Sequence, residues 1–148
     1  MTTSVQIEPG KKHARIGEYV ITAKIGQGGI AEIYKGYQES LGRDVAIKIL
    51  SAQLTSNPDI VRRFERESMV IARLNHPNIV HVIDRGAAGG RYYFIMEFVD
   101  GTSMREVIDS TRIATTVKLE MIAQVCKALD YAHKNGVIHR DIKPANIL

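Results

Sequence analysis

The sequence predicts an α+β chain in which a small antiparallel sheet of five strands carries one helix and leads into the first helices of a helical region. Three observations predict it. Short segments rich in β-branched and aromatic residues alternate with glycine-bearing turns over the first hundred residues. A helix-start signal, Asn57-Pro58, stands among them. Beyond Asp100-Gly101 the apolar spacing changes from strand-like to helical.

Residues 1–15 are polar, contain Pro9-Gly10 and Lys11-Lys12, and show no period, so they read as a disordered leader to a domain spanning 16–148. Within that domain the sheet-rich part runs to about residue 99 and the helical part from about 100. Tyr19–Ile25, Ala31–Tyr37 and Asp44–Leu50 read as three strands of a meander, separated by Gly26-Gln27-Gly28-Gly29 and by Glu39-Ser40-Leu41-Gly42-Arg43. Asn57 is a cap residue and Pro58 suits the first helical position, with Ile60, Phe64, Ile71 and Leu74 following at helical spacing to predict a helix over Pro58–Leu74. Val80–Arg85 and Arg91–Val99 flank Gly86-Ala87-Ala88-Gly89-Gly90 as a second hairpin. Met104–Asp109 reads as a short helix and Thr116–Asn135 as a longer one, with Leu119, Ile122, Val125, Leu129 and Ala132 as its apolar stripe and Gly136 as its stop.

Composition narrows the function classes. Lys plus Arg (20) exceed Asp plus Glu (16) only slightly and are scattered, which argues against a nucleic-acid partner. No apolar run approaches the roughly 18 residues that span a bilayer, and no secretory signal opens the chain, so a soluble, cytoplasmic protein without a membrane segment is expected. The single cysteine, Cys126, falls in a helical apolar pattern and reads as a buried core thiol without chemistry.

Three constellations point to chemistry. Gly26-Gln27-Gly28-Gly29-Ile30-Ala31 is a turn that could cradle phosphates. It also fits the dinucleotide pattern G-x-G-x-x-A, but that fold needs a helix directly after the glycines, whereas Glu32–Tyr37 alternates like a strand. In Val45-Ala46-Ile47-Lys48-Ile49-Leu50, period two sends Val45, Ile47 and Ile49 to one face and Ala46, Lys48 and Leu50 to the other. At about 100° per residue, Glu67 projects within the arc of Ile60, Ile71 and Leu74, and a carboxylate there is costly unless paired, which makes the inward Lys48 its expected counterion. His139-Arg140-Asp141-Ile142-Lys143-Pro144-Ala145-Asn146 places a carboxylate and an amide five residues apart in a loop right after a helix. Such a pair suits phosphoryl transfer, with Asp141 orienting a hydroxyl and taking its proton, Lys143 neutralising charge and Asn146 holding a divalent metal.

Together with His76-Pro77-Asn78-Ile79-Val80 and Met96-Glu97-Phe98-Val99, these stretches resemble the protein-kinase signature set in order and spacing over about Gly17 to Leu148. The chain resembles the N-terminal portion of the catalytic domain of a eukaryotic-like, bacterial Hanks-type serine/threonine protein kinase. The resemblance implies a two-lobed protein-kinase-like fold with ATP and Mg2+, or Mn2+ in its place, in the cleft. Gly26, Gln27, Gly28 and Gly29 would cover the phosphates, and Lys48, paired to Glu67, would bind the α and β phosphates. Ile25, Ile33 and Ala46 would line the adenine site, with Met96 at its back and Glu97 to Val99 as the hinge whose backbone meets adenine. Lys143, two residues past Asp141, is similar to the serine/threonine pattern rather than the tyrosine one.

Two departures from the family pattern stand out. Ala31 and Ile33 occupy positions that usually hold glycine and valine, and no Asp-Phe-Gly or Ala-Pro-Glu follows Asn146. A chain lacking the metal-binding aspartate and the substrate surface is expected to be inactive alone, with a complementary chain bearing the rest of the helical lobe as a candidate partner. A nucleotide-binding or docking module without catalysis is the alternative. A small-molecule phosphotransferase shares the Asp-to-Asn spacing, but Arg140, Lys143 and His76–Val80 match the protein-kinase form.

Overall fold

A computed structural model describes residues 14–148, in two compact units. The expected leader lies outside the described residues up to position 13. Its last residue, Arg15, instead opens a strand.

The first unit, residues 14–73 with 81–98, is built on one antiparallel sheet. Its strands are β1 (Arg15–Ile16), β2 (Tyr19–Gln27), β3 (Ala31–Gln38), β4 (Arg43–Leu50), β5 (Val82–Ala88) and β6 (Arg91–Glu97), in the order β1-β2-β3-β4-β6-β5. The sheet thus has one strand more than the five expected. The extra strand, β1, is two residues long, too short to show a period; Gly17, at φ 56°, reverses the chain so that Ile16 pairs with Tyr19.

Period two divides β4 as the sequence predicts. Val45, Ile47 and Ile49 join Ile16, Tyr19, Tyr93 and Ile95 in a core on one face. On the other, Ala31, Leu50, Phe94 and Val82 receive Val61 and Phe64 of helix α1 (Pro58–Ile71). Phe64 is 2% exposed and meets Phe94 at a ring-centroid distance of 5.1 Å. A buried aromatic of this kind contributes about 1.5–3 kcal/mol by apolar transfer. The Asn57 side chain caps α1 by accepting from the N–H groups of Asp59 and Ile60, as its place before Pro58 foretells. The helix closes at Ile71 rather than Leu74 because the chain turns at Ala72, and Leu74 belongs to the second unit.

The second unit comprises Leu74–Val80 and Val99–Leu148, with helices α2 (Met104–Asp109) and α3 (Thr115–Lys134). Glu106 accepts from the Ser103 N–H at the start of α2, and Lys118 of α3 donates to the Ile108 and Ser110 carbonyls at its end. The stop of α3 is a Schellman turn in which Gly136, at φ 75°, donates to His133 O and Val137 to Ala132 O.

Two expectations for α3 need correcting. Its stripe is covered only towards the C-terminal end, where Ala132 is buried and Val125 and Leu129 are half-buried, while Leu119 and Ile122 are exposed. Cys126 is exposed rather than buried. The periodicity identifies the apolar positions, but burial requires an element packed against them, and among the described residues Leu119 and Ile122 are left uncovered.

Candidate functional site

The glycine segment forms the tip of the β2–β3 hairpin. Gln27 pairs with Glu32, Gly26 with Ile33, and the Gly28 N–H donates to Ala31 O at 2.8 Å. A strand therefore follows the glycines where a dinucleotide site requires a helix. None of Gly26, Gly28 and Gly29 has positive φ. A Cβ at Gly29 would meet nothing within 4 Å, and one at Gly28 only Ala31 O at 3.6 Å. Neither the backbone conformation nor the protein's own packing demands glycine at these two positions. Bare backbone there suits close approach by an external group.

Lys48 lies across from Ile33 of β3 and Phe94 of β6, on the sheet face that receives α1. Its Nζ is 2.5 Å from Glu67 Oε1 and 5.2 Å from the centre of the Phe94 ring. Glu67 sits at the margin of the buried arc of Val61, Phe64 and Ser68, and the pair is only partly desolvated, the Lys48 and Glu67 side chains being 23% and 37% exposed. The predicted ion pair is present.

The other residues expected around a ligand in this unit are distributed along the same strands. Ile25 is exposed near the end of β2, Ile33 is half-buried, and Ala46 is buried opposite Met96, itself half-buried. Glu97 is exposed; its N–H donates to His81 O and its carboxylate accepts from the His81 N–H, fixing the end of β6 against the start of β5. Val99, exposed, belongs to the second unit.

The second unit holds the loop that follows α3. Lys143 Nζ is 3.0 Å from Asp141 Oδ2, while Asn146 Nδ2 donates to both Asp141 O (2.8 Å) and Oδ2 (3.0 Å). Lys143 and then Asn146 hold the Asp141 carboxyl below its usual range, because both stabilise the charged form. The Asp141 N–H donates to His139 Nδ1, giving the histidine a local structural role. Arg140 has φ 66°, a left-handed conformation that costs a non-glycine residue about 1 kcal/mol or more and that tends to occur at functional loops. With Nδ2 of Asn146 occupied by Asp141, its Oδ1 is the atom suited to a cation. Among the described residues no group of three or more His, Cys, Asp and Glu gathers as a metal centre.

Sequence reasoning missed two arrangements. The stretch His76–Val80 docks on α3: the Asn75 N–H donates to Tyr131 Oη, His76 stacks 5.3 Å from the Tyr131 ring, and Asn78 Nδ2 donates to Gln124. The other is an ionic cluster around Glu32 on the glycine hairpin, formed with Lys24, Tyr34 and Arg91. The Lys24 and Glu32 part was within reach of hairpin register, but Arg91 lies too far along the chain for any local signal.

Comparison with known proteins accords with this geometry. The protein kinase domain family is matched over residues 19–148. Serine/threonine-protein kinase PknJ of Mycobacterium tuberculosis is 45% identical over 130 residues, covering 88% of this chain and 22% of that protein. PknB of the same organism is 42% identical over 135 residues, again 88% of this chain and 22% of its own length. The chain thus spans about a fifth of the curated relatives it matches. Among solved structures, the M. tuberculosis PknI kinase domain superposes with TM-score 0.72 at 32% identity, over 92% of this chain and 56% of that one. The apo form of PpkA-294 shares the fold at TM-score 0.77 and 24% identity, over 97% and 57%. The chain belongs to the protein kinase domain family, has its fold, and is similar to bacterial serine/threonine members of it.

Proposed function

We propose that residues 16–148 are the nucleotide-binding part of a serine/threonine protein kinase domain, the sheet-rich lobe ending near 99 and the helical lobe beginning near 100, and that the whole protein transfers phosphate from ATP to protein serine or threonine hydroxyls. The observation that carries this reading is the Lys48–Glu67 pair on the face of the sheet that also carries Ile33, Ala46 and Met96, beside a hairpin tip of unencumbered glycines. A lysine held by a carboxylate at 2.5 Å offers its charge in a fixed direction, which suits phosphate oxygens.

Each chemical role then has a residue. Gly26, Gln27, Gly28 and Gly29 lie over the phosphates, and Lys48 binds the α and β phosphates while Glu67 orients it. Ile25, Ile33, Ala46 and Met96 contact adenine, and the backbone of Glu97 to Val99 bonds its edge. Asp141 accepts the hydrogen bond of the incoming hydroxyl; with its carboxyl held ionised it orients first and takes the proton late. Lys143 neutralises charge on the moving group. Mg2+, when bound, would supply charge neutralisation at the phosphates, and Asn146 Oδ1 is the ligand these residues offer it. Among the described residues no helix is long and apolar enough to cross a membrane.

Calorimetric titration of the chain with ATP, with and without Mg2+, tests the reading. A single saturable site is expected. No heat of binding at millimolar ATP in either condition would sink it.

A further inference from the structure

We propose that Glu32 is a positioning residue that latches the glycine hairpin from the sheet face opposite Lys48. Glu32 lies directly after Ala31 at the base of the hairpin tip, across from Gln27 on one neighbouring strand and Ile49 on the other. Its side chain is therefore on the face of Ile47 and Ile49, away from Lys48. Lys24 Nζ of β2 reaches Glu32 Oε1 at 2.6 Å and also donates to Gln27 Oε1 at 3.0 Å, inside the glycine segment itself. Tyr34 Oη donates to Glu32 Oε2 at 3.2 Å. Arg91, at the start of β6, stands 3.5 Å from Glu32 Oε2 and donates through Nε to the Leu50 carbonyl at the end of β4.

One carboxylate thus ties together β2, β3 and, through Arg91, β6 and the end of β4. A single exposed pair would count for little, but Glu32 and Arg91 are less than a third exposed, and the partners form a network, the case in which surface charges do matter. The hydrogen bonds and cations around Glu32 also hold its carboxyl below the usual range, consistent with an ionised hub. The tip itself is paired through Gly26–Ile33 and Gln27–Glu32, but behind it the register of β2 with β3 shifts at Ile21/Ala23 and again at Lys24/Gly26. Such irregularities interrupt the ladder locally and bend and twist the strand. The Lys24 bridge between Gln27 and Glu32 spans the second of them and sets the direction in which the glycine backbone points.

The inference rests on the reading of that hairpin as phosphate-binding. It is tested by competition against a fluorescent ADP analogue on the 148-residue chain, using ATP, ADP and adenosine as competitors for wild type, Glu32→Gln, Lys24→Met and the double variant. Glu32→Gln should raise Kd about three- to tenfold for ATP and ADP while leaving adenosine within about twofold, and the double variant should be no worse than the weaker single, the signature of one coupled unit. The direction is diagnostic. Removing a negative charge near bound phosphates would by itself tighten them, so a tighter or unchanged ATP complex overturns the latch. An equal loss for ATP and adenosine also overturns it, by showing general loosening of the sheet. If wild type binds none of the nucleotides, the phosphate-binding reading falls and the latch with it.

Discussion

Replacing Lys48 with methionine separates the nucleotide reading from a merely structural ion pair. Methionine keeps an unbranched stem of similar length, so packing against Phe94 is largely retained while the charge is lost. The cost to the fold is small. Glu67 is 37% exposed and its freed carboxylate can hydrate, so the pair is worth at most about 1 kcal/mol to stability. The cost to binding is larger, because a charge-assisted hydrogen bond contributes about 1.5–3 kcal/mol. At about 1.4 kcal/mol per decade, that predicts a ten- to hundredfold rise in Kd for ATP. The unpaired Glu67 carboxylate left beside the phosphates acts in the same direction. The assay is calorimetric titration of wild type and Lys48→Met with ATP, alongside thermal melts expected to differ by only a few degrees. A variant that binds ATP within twofold of wild type would refute the assignment and reduce Lys48–Glu67 to a surface pair.

Three further outcomes are expected. Phe64→Ala, which empties the contact between α1 and Phe94, should lower unfolding free energy by about 3–5 kcal/mol in denaturant titrations of the chain. Gly36→Ala should also destabilise, by about 1–3 kcal/mol, because the new Cβ would stand 2.4 Å from Cδ1 of the fully buried Ile47 and 3.0 Å from the Val20 carbonyl. In carboxyl-detected NMR, Asp141 should titrate below the ordinary aspartate range, and Lys143→Met should move its midpoint upward towards it. Since the folded value is depressed, the contribution of this carboxylate to stability is present above the unfolded aspartate pKa and is lost as pH falls through the folded one; a Lys143→Met midpoint that stays put would contradict the geometry.

Much of the architecture was legible because its signals are local. Alternation in Val45–Leu50 sorted β4 into two faces, Asn57-Pro58 marked the start of α1, and Gly136 marked the end of α3. The strand after the glycines separated a hairpin from a dinucleotide turn, and the angular position of Glu67 implied a cationic partner. What stayed hidden depends on separation along the chain. Neither the two-residue β1 nor the Tyr19 hydroxyl donating to Asp84 has a periodic signature.

The sequence by itself determined most of the elements, the residues expected to carry the chemistry and the family, because backbone preference, side-chain period and motif spacing are set within a few residues. Tertiary structure alone decided which of those residues have partners. It put Arg91 on Glu32 and Tyr131 on Asn75, left Cys126 and Leu119 in the open, and turned the Asn146 amide onto Asp141. Such contacts follow from the path of the whole chain, and burial is a property of two surfaces, only one of which any single helix or strand can specify.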